Sequence, residues 1–323
     1  MINNFAYVKA GSIAAAIKAL STKGASLHAG GTDLMGCMHD EVMQVDKVVS
    51  IRNIKELRGI TARPDGGLRI GALTTVAEIA TSATVSGKYA VLAQAAGEVA
   101  SPQLRNQGTI GGNLCQRPRC WYFRGDFRCA RKGGDLCYAV GGENQYHAIF
   151  GGGPCFFVHP SDTAVALVAL QAQLTIAGPA GNRAVRIADF FVGPDKNITK
   201  ENILAANEIV AEIILPPPGA NVRSSYRKIR SRRAWDFALA SVGLVLQYAG
   251  ENVSAARIVL GGVAPYPWRT EAAEKSLIGR KIDAAAAAAA ALAAVKDANP
   301  MADNQYKVAM VQGAVEESIL ALA

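Results

Sequence analysis

Five of the six cysteines, Cys115, Cys120, Cys129, Cys137 and Cys155, fall within 41 residues, directly after the glycine-rich run Gly108-Thr-Ile-Gly-Gly-Asn113. Their spacings, C-x4-C-x8-C-x7-C-x17-C, lack the paired C-x2-C knuckles that most structural zinc sites use. Thiolates in fours bind zinc or an iron-sulfur cluster, and the surrounding charge favours the cluster. Between Gln103 and Cys137 the basic residues Arg105, Arg117, Arg119, Arg124, Arg128, Arg131 and Lys132 outweigh Asp126 and Asp135. A [4Fe-4S] cluster on four thiolates is a net anion, so guanidinium groups and backbone amides around its sulfurs offset its charge and raise its reduction potential. Two plainer readings stand beside this one: a solvated basic loop with incidental cysteines, and a disulfide framework. The latter suits small secreted domains with even cysteine counts. This chain is long, and its start, Met1-Ile-Asn-Asn-Phe-Ala-Tyr7, has neither the basic nor the apolar stretch of a secretion signal.

Two glycine-rich turns could hold an anion. In Leu27-His-Ala-Gly-Gly-Thr-Asp-Leu-Met35, Gly30 and Gly31 let the backbone turn tightly and present successive amides, a nest that suits a pyrophosphate. The alternative is an ordinary strand-to-helix turn capped by Thr32 or Asp33. His28 reads as a packed strand residue rather than a base or ligand. The second turn, Arg105-Asn-Gln-Gly-Thr-Ile-Gly-Gly-Asn113, again offers donors where small residues allow close approach of a planar or phosphorylated ligand. Further on, Asp162 stands at a helix start in His159-Pro-Ser-Asp162, where it is either a cap or a hydroxyl acceptor.

The elements that must position these residues fall into three regions. The chain has 323 residues, half of them hydrophobic, enough for a sizeable core and about two domains. The first region, to about residue 49, reads as a small βαβ-like unit, with a helix from Ser12 to Leu20 and strands at Ala25–Ala29 and Lys47–Ser50. The second, to about Pro216, carries a strand at Leu68–Leu73 and helices at Thr75–Ala80 and Tyr89–Val99. After the break Pro216-Pro-Pro-Gly219 a separate unit follows. It reads as three antiparallel strands, Tyr226–Arg230, Ser241–Tyr248 and Ala255–Leu260, then helices over Ala284–Val295 and Val308–Leu322. The alanine run from residue 284 to 291 favours helix and carries no chemistry. No apolar stretch reaches the roughly 18 to 20 residues needed to cross a bilayer. The net charge of +8 comes largely from the cysteine segment, which argues against nucleic-acid binding.

Taken together, Ala29-Gly-Gly-Thr-Asp-Leu34, Gly108-Thr-Ile-Gly-Gly-Asn113, Asp162, Lys228 before Ser231-Arg-Arg-Ala-Trp-Asp236, and Leu260-Gly-Gly-Val-Ala264 resemble the FAD-binding subunit of the molybdenum hydroxylases, the family of xanthine and carbon monoxide dehydrogenase flavoproteins. In common members the Gly-Gly-Asn asparagine and the later aspartate lie about ten residues apart; here Asn113 and Asp162 are separated by 49, with cysteines between. That insertion, about 114–158, is similar to the [4Fe-4S]-bearing subtype, which includes periplasmic aldehyde oxidoreductase and 4-hydroxybenzoyl-CoA reductase, and looks nearer the former. The resemblance implies an α+β chain: a two-part FAD-binding domain of the PCMH type over 1–216, then a C-terminal domain over 217–323 built on a three-stranded antiparallel sheet with helices. It further implies that the backbone of Leu27, His28, Ala29, Gly30, Gly31, Thr32, Asp33 and Leu34 holds the FAD pyrophosphate, helped by the side chains of Thr32 and Asp33. Thr109, Gly112 and Asn113 complete the cradle, Asp162 accepts from a ribityl or ribose hydroxyl, Val210 packs on the cofactor, and Lys228 sits at the flavin's pyrimidine edge. The cluster ligands matched are Cys120, Cys129, Cys137 and Cys155; Cys115 is the competitor of Cys120, and Cys37 reads as a buried hydrophobe.

The same resemblance implies two partner subunits, a large one with a molybdenum cofactor and a small one with two [2Fe-2S] clusters, and an external electron acceptor. No feature reads a nicotinamide dinucleotide. By its own sequence the chain is cytoplasmic, and periplasmic if co-exported on a partner's twin-arginine signal. The competing functions are the flavin subunit of a 4-hydroxybenzoyl-CoA reductase-like enzyme, and a non-redox scaffold whose cysteines bind zinc.

Overall fold

The structure is a computed structural model that describes residues 2–323. Three sheets organise it, in chain order. The first unit runs β1 (Ala6–Lys9), α1 (Ile13–Leu20), β2 (Ala25–His28), α2 (Leu34–His39) and β3 (Lys47–Ser50), with the strands parallel in the order β1-β3-β2. Ser12 caps α1 by accepting from the amide of Ala15. The unit buries Val49, Ile51 and Leu20 against Ala177, Ile209 and Ala211 of the second sheet, so it is anchored on its neighbour's inner strands.

The second unit has a five-stranded antiparallel sheet, ordered β4-β5-β8-β6-β7, whose strands are β4 (Ile60–Ala62), β5 (Leu68–Gly71), β6 (Gln173–Gly178), β7 (Gly181–Arg186) and β8 (Ile209–Leu215). Between β5 and β6 the chain builds α3 (Val76–Thr81), α4 (Ala83–Lys88), α5 (Ala90–Gly97), α6 (Pro102–Gln107), α7 (Ile110–Leu114), α8 (Trp121–Arg124) and α9 (Asp162–Ala169). Thr75 and Glu78 form a full capping box at α3. All eight residues of α9 are buried, which makes this helix the centre of the largest core, between α5, the second sheet and the third. The stretch from Cys115 to Pro160 contains, besides the single turn of α8, only one short 3-10 turn, Ala130–Lys132.

The third unit is a sheet ordered β12-β11-β10-β9, formed by β9 (Val222–Ile229), β10 (Ala240–Ala249), β11 (Asn252–Gly261) and β12 (Trp268–Arg269). The expectation of three strands misses β12, a two-residue strand directly after Pro267, too short to show an alternating pattern. Over this sheet lie α10 (Glu271–Leu277), α11 (Ala284–Ala294) and α12 (Tyr306–Leu320). In α11, Ala286, Ala287, Ala290, Ala291 and Ala294 are buried, a stripe of methyl groups at helical spacing that lets the neighbouring helices approach closely. Among the described residues no helix is long and apolar enough to cross a membrane.

Candidate functional site

The two glycine turns lie back to back. β2 ends at His28 and delivers Gly30 against the second turn: a Cβ on Gly30 would stand 2.0 Å from the carbonyl oxygen of Gln107, and one on Gly108 would stand 3.6 Å from Thr32 Oγ1. Gly31 is left-handed, at φ 78°, a conformation glycine adopts at little cost. Only residues without side chains let the two backbones come this close, so the glycines are fixed by each other as much as by any ligand. The next turn is held by Thr109, which caps α7 through the amide of Gly112 at 3.2 Å, and by a bridge between Thr109 and Thr75.

Two clefts meet at this junction, sharing Thr32, Thr109 and Gly112. The smaller, of about 270 Å³, is lined by Leu27 and Ala29 to Leu34, by Ala72 and Gly111, and by Val210 and Cys115. The larger, of about 600 Å³, runs past Ala100 and Asn113 to Asp162, Lys228 and Trp235. Glycine amides at one end, apolar walls and a charged pair at the other suit an elongated ligand with a phosphorylated middle and a planar end. His28 does not line either cleft; its ring meets Tyr7 edge-on, its Nδ1 is buried without a partner, and burial followed by the charge of Arg52 lowers its pKa.

At the far end of the larger cleft, α9 and β9 bring Asp162 and Lys228 together. Lys228 Nζ stands 2.8 Å from Asp162 Oδ2 and 3.1 Å from the carbonyl of Glu98, with its side chain 1% exposed. It is a buried lysine, not a surface one. Tyr226, two residues earlier on the same face of β9, donates its hydroxyl to Asp162 Oδ1 at 2.5 Å. Burial pushes the Asp162 carboxyl above its ordinary range, and Lys228 works against that shift. Ser161, not Asp162, is the helix cap, accepting from the amide of Ala164 at 3.0 Å. Asn113 is committed internally: its Oδ1 accepts from Ser161 and Thr163, both at 2.6 Å, tying the second glycine turn to the start of α9. Tyr226 is a residue the sequence reading missed, although its spacing from Lys228 was a signal.

Asp33 also departs from expectation. Its side chain turns from the glycine turn to the cysteine segment, where its carboxylate accepts from the Arg117 amide at 2.8 Å and pairs with Arg119 at 2.9 Å and Arg124 at 2.8 Å. It therefore ties the first glycine turn to the cysteine segment. Arg117 reaches Glu201 at 2.8 Å, and the fully buried Arg131 pairs with the same carboxylate while lying 4.2 Å over the Phe157 ring.

Within that segment Cys120, Cys129, Cys137 and Cys155 line one small cavity with Tyr122, Phe123, Arg131, Tyr138 and Phe157. Cys115 is elsewhere, on the glycine-turn cleft, where burial pushes its thiol to about 12. Cys37, fully buried, lines the same cleft and is pushed to about 11 by burial. All six cysteines are free thiols, which sets aside the disulfide framework. Among the described residues no three His, Cys, Asp or Glu side chains converge as ligands of a metal ion. Within the four-sulfur cavity a hydrogen bond from Cys155 lowers the Cys137 pKa, while burial raises Cys120 to about 11. Arg131 Nε and Arg119 Nε are buried without partners around this segment. Cations and free donors beside clustered thiols fit an anionic cluster. A fourth cavity, of about 370 Å³ and walled by Arg119, Cys120, His147, His159, Asp162 and Phe237, lies between the cysteine segment and the flank of the larger cleft.

Comparison with known proteins gives the geometry its setting. Residues 3–218 match the FAD binding domain in molybdopterin dehydrogenase, and residues 224–322 match the carbon monoxide dehydrogenase flavoprotein C-terminal domain. The chain is 37% identical to the aldehyde oxidoreductase FAD-binding subunit PaoB of Escherichia coli K12, over 92% of this chain and 91% of that protein. It is 30% identical to the carbon monoxide dehydrogenase medium chain of Hydrogenophaga pseudoflava, over 98% and 96%. A solved structure of carbon monoxide dehydrogenase from that organism superposes with a TM-score of 0.81 at 29% identity, covering all of this chain and 98% of the other. The chain belongs to the FAD-binding subunits of the molybdenum hydroxylase family, and is an oxidoreductase subunit of that kind.

Proposed function

We propose that this chain is the FAD- and [4Fe-4S]-binding electron-transfer subunit of a heterotrimeric, molybdenum-dependent aldehyde oxidoreductase. In this reading electrons arrive from [2Fe-2S] clusters of a small partner, after a large partner with a molybdenum cofactor has oxidised the substrate, and leave through this subunit to an external acceptor. The observation that carries it is the four-cysteine cavity joined through Asp33 to the glycine turns, in a chain similar over nearly its whole length to an aldehyde oxidoreductase FAD-binding subunit.

Bound FAD supplies the capacity to take up single electrons and to release them singly or in pairs. The chain's own residues bind, orient and balance charge. The amides of the turn from Leu27 to Leu34 hold the pyrophosphate with the Thr32 hydroxyl, and the turn at Thr109 and Gly112 closes the cradle from the other side. Asp33 contributes by fixing the turn, since its carboxylate is spent on arginines. Val210 gives the cleft an apolar wall. Lys228 places a cation, already balanced by Asp162, at the end of the larger cleft, where it favours negative charge on a reduced flavin. Asp162 keeps accepting capacity for a ribityl or ribose hydroxyl. Cys120, Cys129, Cys137 and Cys155 ligate the cluster, with Arg131 beside them offsetting its charge.

The test is an anaerobic visible spectrum with iron, acid-labile sulfide, zinc and flavin assays on the complex purified through this chain. One FAD, with iron and sulfide beyond the four irons of two [2Fe-2S] clusters, is expected. Iron stopping at four with zinc present would keep the family and make the cysteine segment a structural zinc site.

A further inference from the structure

His147 is 4% exposed, and its Nε2 stands 3.2 Å from Cys120 Sγ. Its Nδ1 is buried with no partner. A ligating thiolate has no proton to give, so with Cys120 on a cluster this contact is a hydrogen bond only with the imidazole proton on Nε2. The ring is held by packing: Trp121 lies edge-on at 5.8 Å and Tyr122 tilted at 6.0 Å between centroids.

The backbone under the ring is held more firmly still. The segment from Asn144 to Ala148 is gripped by the start of α12. The Lys307 ammonium, fully buried, donates to the carbonyls of Tyr146 at 3.1 Å, His147 at 3.2 Å and Gly262 at 2.8 Å. Asn304 Nδ2 donates to the His147 carbonyl at 3.2 Å, and Asn144 and Asp303 exchange two bonds between side chain and backbone. The C-terminal domain thus fixes one particular residue of the cysteine segment, and that residue places its Nε2 against one particular sulfur.

We propose that His147 is a positioning residue for the iron-sulfur cluster: its Nε2–H donates to the Cys120 thiolate, withdraws charge from that sulfur and raises the cluster's reduction potential. The α12 clamp holds it in register. This rests on the cluster reading above. Hydrogen bonds to ligating sulfurs are among the levers that set such potentials, and His147 is the side chain here that provides one without being a ligand.

The experiment is a redox titration followed by low-temperature electron paramagnetic resonance on the purified complex, with iron, sulfide and FAD counted in each sample. His147→Phe keeps an aromatic ring between Trp121 and Tyr122 and removes the donor; His147→Gln returns an N–H near the same place. The expected result is full iron in both variants, a midpoint moved to more negative potential in His147→Phe, and partial return in His147→Gln. A His147→Phe midpoint equal to that of the wild type at full iron overturns the proposal and leaves the cluster reading standing. Wild-type complex with no iron beyond the partner's clusters overturns that reading instead. If His147→Phe loses iron, wild type labelled with 15N-histidine decides: a histidine nitrogen weakly coupled to the reduced cluster supports the proposal, and its absence overturns it.

Discussion

The glycine-turn cleft and the cysteine segment lie side by side but are held by different means. The cleft is built from backbone: two glycine turns delivered by β2 and α6, each so close to the other that Gly30 has no room for a Cβ. The cysteine segment has almost no regular structure, and side-chain ion pairs and buried donors hold it, with Asp33 and Glu201 gripping arginines on one side and Lys307 gripping carbonyls on the other. Backbone architecture spreads its stability over many small terms, whereas a buried ion pair concentrates it in two side chains. Removing one partner of such a pair costs about 3 to 5 kcal/mol, because the other is left buried and uncompensated.

The contrast gives a pair of opposite outcomes as the largest expected effect. Glu201→Gln strands the buried Arg131 and should cost about 3 to 5 kcal/mol, releasing iron and sulfide while FAD stays bound. Lys228→Met strands Asp162 at similar cost and should do the reverse, losing FAD and keeping iron. Metal and flavin analysis of the two purified variants checks this, and loss of both cofactors in both variants would mean that the two regions form one cooperative unit. Cys129→Ala narrows the question to ligation: the iron beyond the partner's clusters should vanish with FAD unchanged, and unchanged iron would remove Cys129 from the ligand set.

Gly30→Ala attacks the cleft through its backbone. The added methyl meets the Gln107 carbonyl, which neither turn can move freely, and overpacking of this kind costs about 1 to 3 kcal/mol. FAD affinity should fall at least tenfold by fluorescence titration, with iron intact.

What the sequence made legible follows the same division. The glycine turns could be read because their chemistry lies in consecutive residues, and the distinction of Cys115 from the other cysteines followed from its place beside Asn113. The pairing of Asp33 could not be read because its partners, Arg117 and Arg124, are 84 and 91 residues away and nothing local marks it. Lys307 sits one residue before the expected start of the last helix, where its burial under three carbonyls depends on how α12 docks rather than on any pattern. β12 escaped because two residues carry no period. Side-chain clamps between distant segments are a tertiary property, and the segment they hold is therefore the part whose grouped cysteines could be named from sequence while its supports could not.

Lys307 also gives the comparison a pH signature. Burial lowers its pKa to about 7. The folded state therefore sheds this proton near pH 7, while the unfolded chain keeps it to the ordinary lysine range, so stability from this group rises with pH across that window. The slope reaches about 1.4 kcal/mol per pH unit for one proton. Urea unfolding of wild type and Lys307→Met at pH 7 and pH 9 should show the wild type gaining on the variant as pH rises, and parallel curves would show that the ammonium stays charged throughout.

The smallest expected effect separates the two buried groups that share Asp162. Tyr226→Phe removes one neutral donor to the carboxylate, but Lys228 remains 2.8 Å away and keeps the charge paired. Losing a hydrogen bond whose acceptor keeps another partner costs about 1 kcal/mol, so FAD should bind less than tenfold more weakly and iron should be unchanged. An effect on flavin as large as that of Lys228→Met would mean that the tyrosine hydroxyl, rather than the ammonium, holds Asp162 in place. The end of the cleft would then be organised by a hydrogen bond along one face of β9, and the ion pair would be the secondary contact.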